Sequence, residues 1–326
     1  MKRFLSIALI AVLALAALTA CTPGDEKTED QPINIGIIQI LDHESLDEVR
    51  NSMIAKLKAE GYEDGKNIII DYQSAQGDTN NLPTIAQKFV ADGKDLVVAI
   101  ATPSAIAMAN ETEDIPIVFS AVTDPVDAKL VASLEAPGGN VTGTSDWISA
   151  EALMTVAGKL VPDIKTIGAL YSTKEANSAS TVADLEEYCK ANGIELIKSA
   201  IADSNEVQTA AQSLVSKVDA IFVPTDNTVA EKIQVVAQVC SDAKIPTFLG
   251  ADSMVNGGGF LSLGVDYAVL GEKTADMVIE IIKGAKPAEM PVVTLDQQKT
   301  VINKATAEEL GIEIPEAILK EAIIVE

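Results

Sequence analysis

The chain has only one histidine and three cysteines in 326 residues. His43 alone cannot supply the clustered imidazoles of a zinc site, and the cysteines lack a short C-x-x-C spacing. The G-x-S-x-G motif of α/β-hydrolases is also missing. These absences argue against a metal site, a cofactor and an activated nucleophile, so we do not expect the chain to be an enzyme.

The sequence also lacks a nucleotide-binding loop. Gly271 to Thr274 resembles the end of a Walker A motif, but Glu272 separates the glycine from the lysine, and Asp266 stands where the leading glycine belongs. Gly257 to Gly259 lacks the spacing of a dinucleotide loop and is typical of a flexible turn. We therefore do not expect this chain to be an ATPase.

Basic and aromatic residues are few. Lys and Arg number 24 against 48 Asp and Glu, a net charge of −24, so the chain should repel nucleic acid and anionic lipid.

Aromatic residues make up 4% of a chain that is 48% hydrophobic. The excess of Ala, Val, Ile and Leu is typical of parallel strands that helices cover on both faces.

No apolar run is long enough to span a bilayer comfortably, but the N-terminus has the features of a targeting segment. Lys2 and Arg3 precede the apolar run from Phe4 to Ala17, and Leu18 to Cys21 resembles the lipobox of bacterial lipoproteins. We expect residues 1–20 to be a lipoprotein signal peptide, Cys21 to be lipidated, and residues 21–32 to be a disordered tether. An ordinary secretory signal with a chance cysteine is the alternative. Either places the body of the protein outside the cytoplasm.

Cys189 and Cys240 remain in the body of the protein. Outside the cytoplasm they could form a disulfide, but buried free thiols are favoured because they behave as small apolar residues.

The body of the chain contains two copies of one pattern, in which strands and helices alternate. Matching strands are predicted at Ile33 to Gln39 and Lys165 to Tyr171, at Asp95 to Ile100 and Asp219 to Val223, and at Ile115 to Phe119 and Ile245 to Leu249. This alternation predicts an α/β fold with two Rossmann-like lobes, each built on a parallel sheet. Residues 33–146 and about 267–298 should form lobe 1, and residues 147–266 and about 299–326 should form lobe 2.

Small polar residues follow the buried strands of both copies. In parallel sheets ligands bind beyond the carboxyl ends of the strands, so these loops should face a cleft between the lobes. Thr102 can cap a helix that begins near Pro103, and such a helix start suits a carboxylate. Asp124, Asp226 and Asp252 could pair with an ammonium group. A zwitterion therefore fits the pattern as a set, although for each residue alone a cap or a turn former is the better explanation.

Several short segments of this chain, taken together, resemble the solute-binding proteins of ABC transporters, in the branch associated with uptake of tryptophan, tyrosine and phenylalanine. The segments are Gly36 to Gln39, His43 with Leu46 and Asp47, Ala101 to Ala105, Val122 to Val126, Asn140 to Asp146, Glu175 to Ser178, Pro224 to Val229, and Asp266 to Gly271 with Tyr267 and Leu270. The resemblance runs from about Ile33 to the C-terminus. It implies the type I architecture of periplasmic binding proteins, with two hinged lobes that close on a ligand and then dock on a permease.

The resemblance also implies a set of ligand-contacting residues and partners. The matched positions are Gln39, Thr102, Ser104, Thr123, Asp124, Asn177, Ser178, Asp226 and Asn227, with His43, Trp147, Asp252 and Tyr267 as further candidates. The implied ligand is an aromatic amino acid, and the implied partners are an ABC permease with a separate ATPase subunit. We expect a monomer that contacts the membrane only through its lipid anchor.

Two other functions fit the lobes alone, because a fold does not determine a function. One is binding of another small solute, such as a branched-chain amino acid, a sugar or a nucleoside. The other is a ligand-sensing module of a membrane receptor. A sugar site would usually offer several aromatic stacking faces, whereas this chain has one Trp, five Tyr and six Phe.

Overall fold

The structure is a computed structural model that describes residues 31–295 and 297–326. The predicted signal peptide, the predicted lipidation site Cys21 and nearly all of the predicted tether lie outside the described residues. Within the described ranges, no helix is both long and apolar enough to cross a membrane.

Strands and helices alternate along the described chain. The strands are β1 (Ile33–Gln39), β2 (Ile68–Ser74), β3 (Leu96–Ile100), β4 (Ile117–Ser120), β5 (Val141–Ser145), β6 (Thr166–Ser172), β7 (Glu195–Ile201), β8 (Ala220–Val223), β9 (Thr247–Leu249), β10 (Leu261–Gly264), β11 (Val293–Thr294), β12 (Lys299–Asn303) and β13 (Ile323–Val325). The α-helices are α1 (Glu44–Ala59), α2 (Asn81–Ala91), α3 (Thr102–Glu111), α4 (Ala150–Leu160), α5 (Ala176–Asn192), α6 (Val207–Leu214), α7 (Asn227–Ala230), α8 (Ile233–Ala243), α9 (Asp252–Asn256), α10 (Tyr267–Ile282), α11 (Lys304–Leu310) and α12 (Glu316–Leu319).

The strands form two sheets, one in each lobe. The first has the order β11-β5-β4-β3-β1-β2, and the second has the order β13-β12-β10-β9-β8-β6-β7. Neighbouring strands are parallel except for the antiparallel pair of β10 and β12. Five strands of each sheet follow the same order, β5-β4-β3-β1-β2 and β10-β9-β8-β6-β7. The predicted fold class, two α/β lobes with parallel sheets, is therefore confirmed.

Burial on both faces explains why the central strands are so uniformly apolar. Every residue of β3 is buried, as is every residue of β4 and β8. Phe89 and Phe119 are fully buried in the first lobe, and Phe222 and Phe248 are buried in the second. Strands without an exposed face leave only their carboxyl-terminal loops to carry polar side chains to a ligand.

Three short segments connect the two sheets. Residues 146–149 lead from β5 to α4, residues 265–266 lead from β10 to α10, and the third connection joins β11 to β12. Helix α10 packs on α1 of the first lobe. Gly271 lies at this crossing, where an added Cβ would be 2.3 Å from the backbone oxygen of Val49. The Gly271 to Thr274 segment therefore belongs to a helix-packing contact.

Cys189 and Cys240 are both free and buried in the structure. Burial raises the pKa of the Cys189 thiol to about 11 and that of the Cys240 thiol to about 12. Both side chains stay protonated near neutral pH and pack as small apolar groups.

Candidate ligand-binding cleft

A cavity lies where the carboxyl ends of the strands of both lobes face each other. It contains about 360 Å³ of empty space, including the solvent at its opening. The side chains that line it come from the loops after β1, β3, β4 and β5 and from those after β6, β8, β9 and β10. They are His43, Leu46, Ala101, Thr102, Ala121, Thr123, Asp146, Asn177, Thr225, Asp226, Asn227, Ala230, Ala251, Ser253, Met254 and Tyr267.

Hydrogen bonds between the two lobes close the cleft around this cavity. Their donor–acceptor pairs are Ser45 Oγ with Ser253 Oγ at 2.8 Å, Asn256 Nδ2 with Glu44 Oε1 at 2.8 Å, Thr123 Oγ1 with Thr225 Oγ1 at 3.0 Å, and His43 Nε2 with Asn227 Oδ1 at 3.4 Å. Each pair joins a loop or the start of α1 in the first lobe to a loop or short helix of the second. The structure therefore shows the lobes in a closed arrangement.

Glu175 organises the second-lobe side of the cavity. Its Oε2 accepts hydrogen bonds from Asn177 Nδ2 at 3.1 Å and from Asn227 Nδ2 at 2.6 Å. Its Oε1 accepts from the backbone N–H of Thr228 at 2.9 Å and from the hydroxyl of the same residue at 2.8 Å. One buried carboxylate thus fixes the amides of two cavity-lining residues, and it leaves Asn177 Oδ1 free to face the cavity.

Asp226 is the second buried carboxylate on this side and has no exposed surface. Its Oδ2 accepts hydrogen bonds from Ser172 N at 2.6 Å and Ser178 Oγ at 2.7 Å, and its Oδ1 accepts from Val229 N at 2.8 Å. Burial, followed by the charge of Glu175, raises the pKa of Asp226 to about 7. A cation beside Asp226 would lower that pKa again, so the carboxylate favours a positively charged ligand group.

The first-lobe side of the cavity contains the start of α3. The prediction that Thr102 caps this helix is wrong, because Ala101 occupies the N-cap position and Thr102 is the first helical residue. The Thr102 hydroxyl therefore does not bond to the helix, and its Oγ1 is buried with no partner among the described residues. Pro103 has no N–H and the Ala105 N–H bonds to Ala101 O, so Thr102 and Ser104 are the residues of the first turn of α3 that can offer backbone donors to an anionic group.

Two alanines that line the cavity have a strained backbone conformation. Ala101 has φ 72° and ψ 156°, a region that only glycine normally occupies, and Ala121 at the end of β4 also has a positive φ, 54°. Both alanines line the cavity. Strain of this kind persists where the surrounding structure imposes it, and it is concentrated at ligand sites.

Replacing Ala101 with glycine should relieve this strain. We expect Ala101→Gly to raise the free energy of unfolding of the ligand-free protein by about 1 kcal/mol, because glycine adopts this conformation without a steric cost. Chemical denaturation in urea measures the change. Unchanged or lower stability would show that Ala101 is not strained.

Four buried polar atoms around the cavity have no hydrogen-bond partner among the described residues. They are His43 Nδ1, Thr102 Oγ1, Asp146 Oδ1 and Asn177 Oδ1. Burial lowers the pKa of His43, so its imidazole is neutral near pH 7. Asn227 Oδ1 accepts from His43 Nε2, which leaves Nδ1 as a hydrogen-bond acceptor. Buried polar groups are nearly always satisfied in native proteins, so this concentration points to a polar ligand.

The predicted site residues divide into two groups. Thr102, Thr123, Asn177, Asp226, Asn227, His43 and Tyr267 line the cavity, whereas Gln39, Ser104, Asp124, Ser178, Trp147 and Asp252 do not. Ser178 lies behind Asp226 and donates to it. Gln39 is buried and donates to Leu41 O at 2.7 Å and to Asp47 Oδ1 at 2.9 Å.

The other off-cavity candidates have local roles. Asp124 accepts from the backbone N–H groups of Val126 and Asp127 in a turn, and Asp252 accepts from Ser253 N. Trp147 is half-buried in the segment that leaves β5. Ser104 Oγ is buried without a partner among the described residues, but it lies away from the cavity.

Asp146 is a cavity residue that was not among the predicted ligand contacts. It directly follows β5, is 4% exposed, and accepts a hydrogen bond at Oδ2 from Tyr267 OH at 3.2 Å. Burial raises the pKa of its carboxyl group. An aspartate that follows a strand buried on both faces is the signal that pointed to Asp226. The same signal could have identified Asp146.

Two buried carboxylates but no Lys or Arg are among the side chains lining the cavity in the described chain. The apolar part of the lining is mostly small, with Ala101, Ala121, Ala230 and Ala251 beside Leu46 and Met254. The cleft therefore combines negative charge, a helix N-terminus and an apolar wall of small side chains.

Two lobes of like topology that close on a polar cavity define a solute-binding protein. A family model for ABC transporter substrate-binding proteins matches residues 34–326, and the chain belongs to that family. It is 42% identical over 321 residues to a tyrosine-binding protein of Clostridioides difficile (strain R20291), covering 96% of this chain and 93% of the relative. The recognition made from the short segments is thus confirmed, and the chain is a substrate-binding protein of an ABC transporter.

Two solved structures show the same lobes in different arrangements. An ABC domain in complex with L-Trp from Streptococcus pneumonia is 41% identical, covers 90% of this chain and 100% of that chain, and gives a TM-score of 0.87. A ligand-free, open substrate-binding protein with adhesive properties from Clostridium difficile is 40% identical, with 90% and 99% coverage, and gives a TM-score of 0.70. At nearly equal identity, this chain superposes better on the tryptophan complex, which agrees with its closed interlobe contacts.

Proposed function

We propose that this protein captures an aromatic amino acid outside the cytoplasm and delivers it unchanged to an ABC permease that is powered by a separate ATPase subunit. We also propose that it is a monomer, anchored to the membrane only through a lipid on Cys21. The ligand occupies the closed cavity between the lobes, and its release requires the lobes to open.

The observation that carries this proposal is the pairing of donors and acceptors across the cavity. Thr102 Oγ1 and the N-terminus of α3 offer donors from the first lobe, and Asn177 Oδ1 and Asp226 offer acceptors from the second. The carboxylate of an amino acid matches the first set and its ammonium group matches the second. Because the groups lie on different lobes, one zwitterion contacts both and stabilises closure.

The apolar lining supports a large, flat side chain. The four alanines line the cavity together with Leu46, Met254 and Tyr267. Relatives that are about 40% identical carry the names of a tyrosine-binding protein and of a complex with L-Trp, which also supports an aromatic ligand.

A calorimetric screen of the body of the protein, residues 32–326, tests the proposal. The ligand set is L-Trp, L-Tyr and L-Phe, with L-Leu, glucose and a nucleoside as comparisons. We expect micromolar or tighter binding of at least one aromatic amino acid, and a thermal midpoint that rises with its concentration. Binding of the sugar or nucleoside, with no aromatic amino acid bound, would contradict the proposal.

A second set of compounds tests the zwitterion. Tryptamine and 3-phenylpropionate each retain a ring, but the first lacks the carboxylate and the second lacks the amine. Each should bind at least about 30-fold more weakly than the matching amino acid, because a buried donor or acceptor set then has no partner. If tryptamine binds as tightly as the amino acid, the proposed carboxylate contacts are wrong. If 3-phenylpropionate does, the proposed ammonium contacts are wrong.

A further inference from the structure

Asp146 Oδ1 is one of two buried acceptors that the zwitterion leaves unused, the other being His43 Nδ1. Asp146 faces the cavity from the end of β5, whereas the donors for the carboxylate lie at the end of β3. Strand β4 lies between these two strands in the sheet. Two strand spacings put Asp146 about 10 Å from the carboxylate subsite.

With the carboxylate bound at Thr102, we assign the ammonium group to Asn177 and Asp226 rather than to Asp146. The amine and carboxylate of an amino acid are attached to the same carbon, so both must lie near the end of β3. A group about 10 Å away is within reach of the far end of an aromatic side chain and a hydrogen bond. Asp146 therefore faces the part of the ligand that differs between tryptophan, tyrosine and phenylalanine.

We propose that Asp146 determines specificity by accepting a hydrogen bond from the ring of the ligand, from an indole N–H or a phenol O–H. This inference rests on the proposed function. Tyr267 is the positioning residue, because its hydroxyl donates to Asp146 Oδ2 and thereby directs Oδ1 into the cavity. Phenylalanine, which has no donor on its ring, would bury Oδ1 unpaired, and sites with a buried polar group reject such ligands strongly.

The test compares three ligands on three proteins by calorimetry. The wild type should bind L-Trp or L-Tyr about 10–100-fold more tightly than L-Phe. In Asp146→Leu, which keeps the branched heavy-atom shape and has no acceptor, the preference should fall to within about threefold because L-Phe no longer leaves a buried acceptor unpaired. Asp219→Leu is the matched control, since Asp219 accepts from the backbone of Lys165 and Thr166 far from the cavity, and it should keep the wild-type preference.

A second variant keeps the test valid if Asp146→Leu does not fold. In Asp146→Asn, the side-chain oxygen accepts from Tyr267 and the amide N–H groups face the cavity. An indole N–H can only donate, whereas a phenol oxygen can also accept, so L-Trp should lose more affinity than L-Tyr.

Three results would overturn the inference. One is wild-type protein that binds L-Phe as tightly as L-Trp and L-Tyr. Another is an Asp146 variant that weakens the binding of all three ligands equally, which would show that Asp146 binds the ammonium group. If the wild type binds none of the three, the proposed function itself fails and this inference fails with it.

Discussion

Replacing Asp226 with alanine is expected to weaken binding of the aromatic amino acid by about 2–4 kcal/mol, because the ligand ammonium group loses a buried charged partner. The expected loss of affinity is large because no Lys or Arg is among the described side chains lining the cavity. The ligand ammonium group is therefore the cation that pairs with the Asp226 carboxylate. Calorimetric titration of wild type and variant measures the difference.

The same substitution also removes the acceptor for Ser172 N, Ser178 Oγ and Val229 N. Loss of stability must therefore be separated from loss of affinity. Asp226→Asn keeps the size of the side chain and should still weaken binding, and Asp219→Ala serves as a control with its carboxylate at the other end of the second sheet. Unchanged affinity in folded Asp226→Ala would show that the ammonium group binds elsewhere.

Replacing Gly271 with alanine is expected to lower the free energy of unfolding by about 2–4 kcal/mol. An added Cβ would lie 2.2 Å from Ser52 Oγ and 2.3 Å from Val49 O. The serine side chain can rotate, but the backbone oxygen belongs to α1 and cannot move without separating α1 from α10. Urea denaturation of the ligand-free protein measures the loss.

Gly158 provides the matched control for Gly271. It lies within α4, is exposed, and has no atom within 4 Å of an added Cβ. Gly158→Ala should therefore raise stability by about 0.5–1 kcal/mol through helix propensity alone. If both variants change stability in the same direction, the close helix crossing at Gly271 is not what determines the effect.

The fold could be predicted in outline because burial on both faces makes parallel strands uniformly apolar. The strands at Ile33 and Asp95 were visible as runs of Ile, Val and Leu, and the repeat of the pattern indicated two lobes. The closed arrangement of the lobes could not be predicted. It depends on pairs such as Ser45 with Ser253, which are distant in sequence and carry no local signal.

The candidate site was harder to predict because caps and ligand contacts use the same residue types. Thr102, Asn177 and Asp226 line the cavity, but Ser178 bonds to Asp226 from behind and Gln39 bonds within its own loop. Only the direction of each side chain separates these roles, and that direction depends on tertiary packing. The strained backbone of Ala101, which frees the Thr102 hydroxyl, could not be predicted either, because an alanine in a sequence gives no indication of a positive φ.

A crystal structure of the mature chain with the tightest-binding aromatic amino acid tests the central claim most directly. We predict a closed protein with the ligand between the lobes, its carboxylate at Thr102 and the start of α3, and its ammonium group at Asn177 and Asp226. A ligand bound outside this cavity, or one held in it with its carboxylate beside Asp226, would contradict the account.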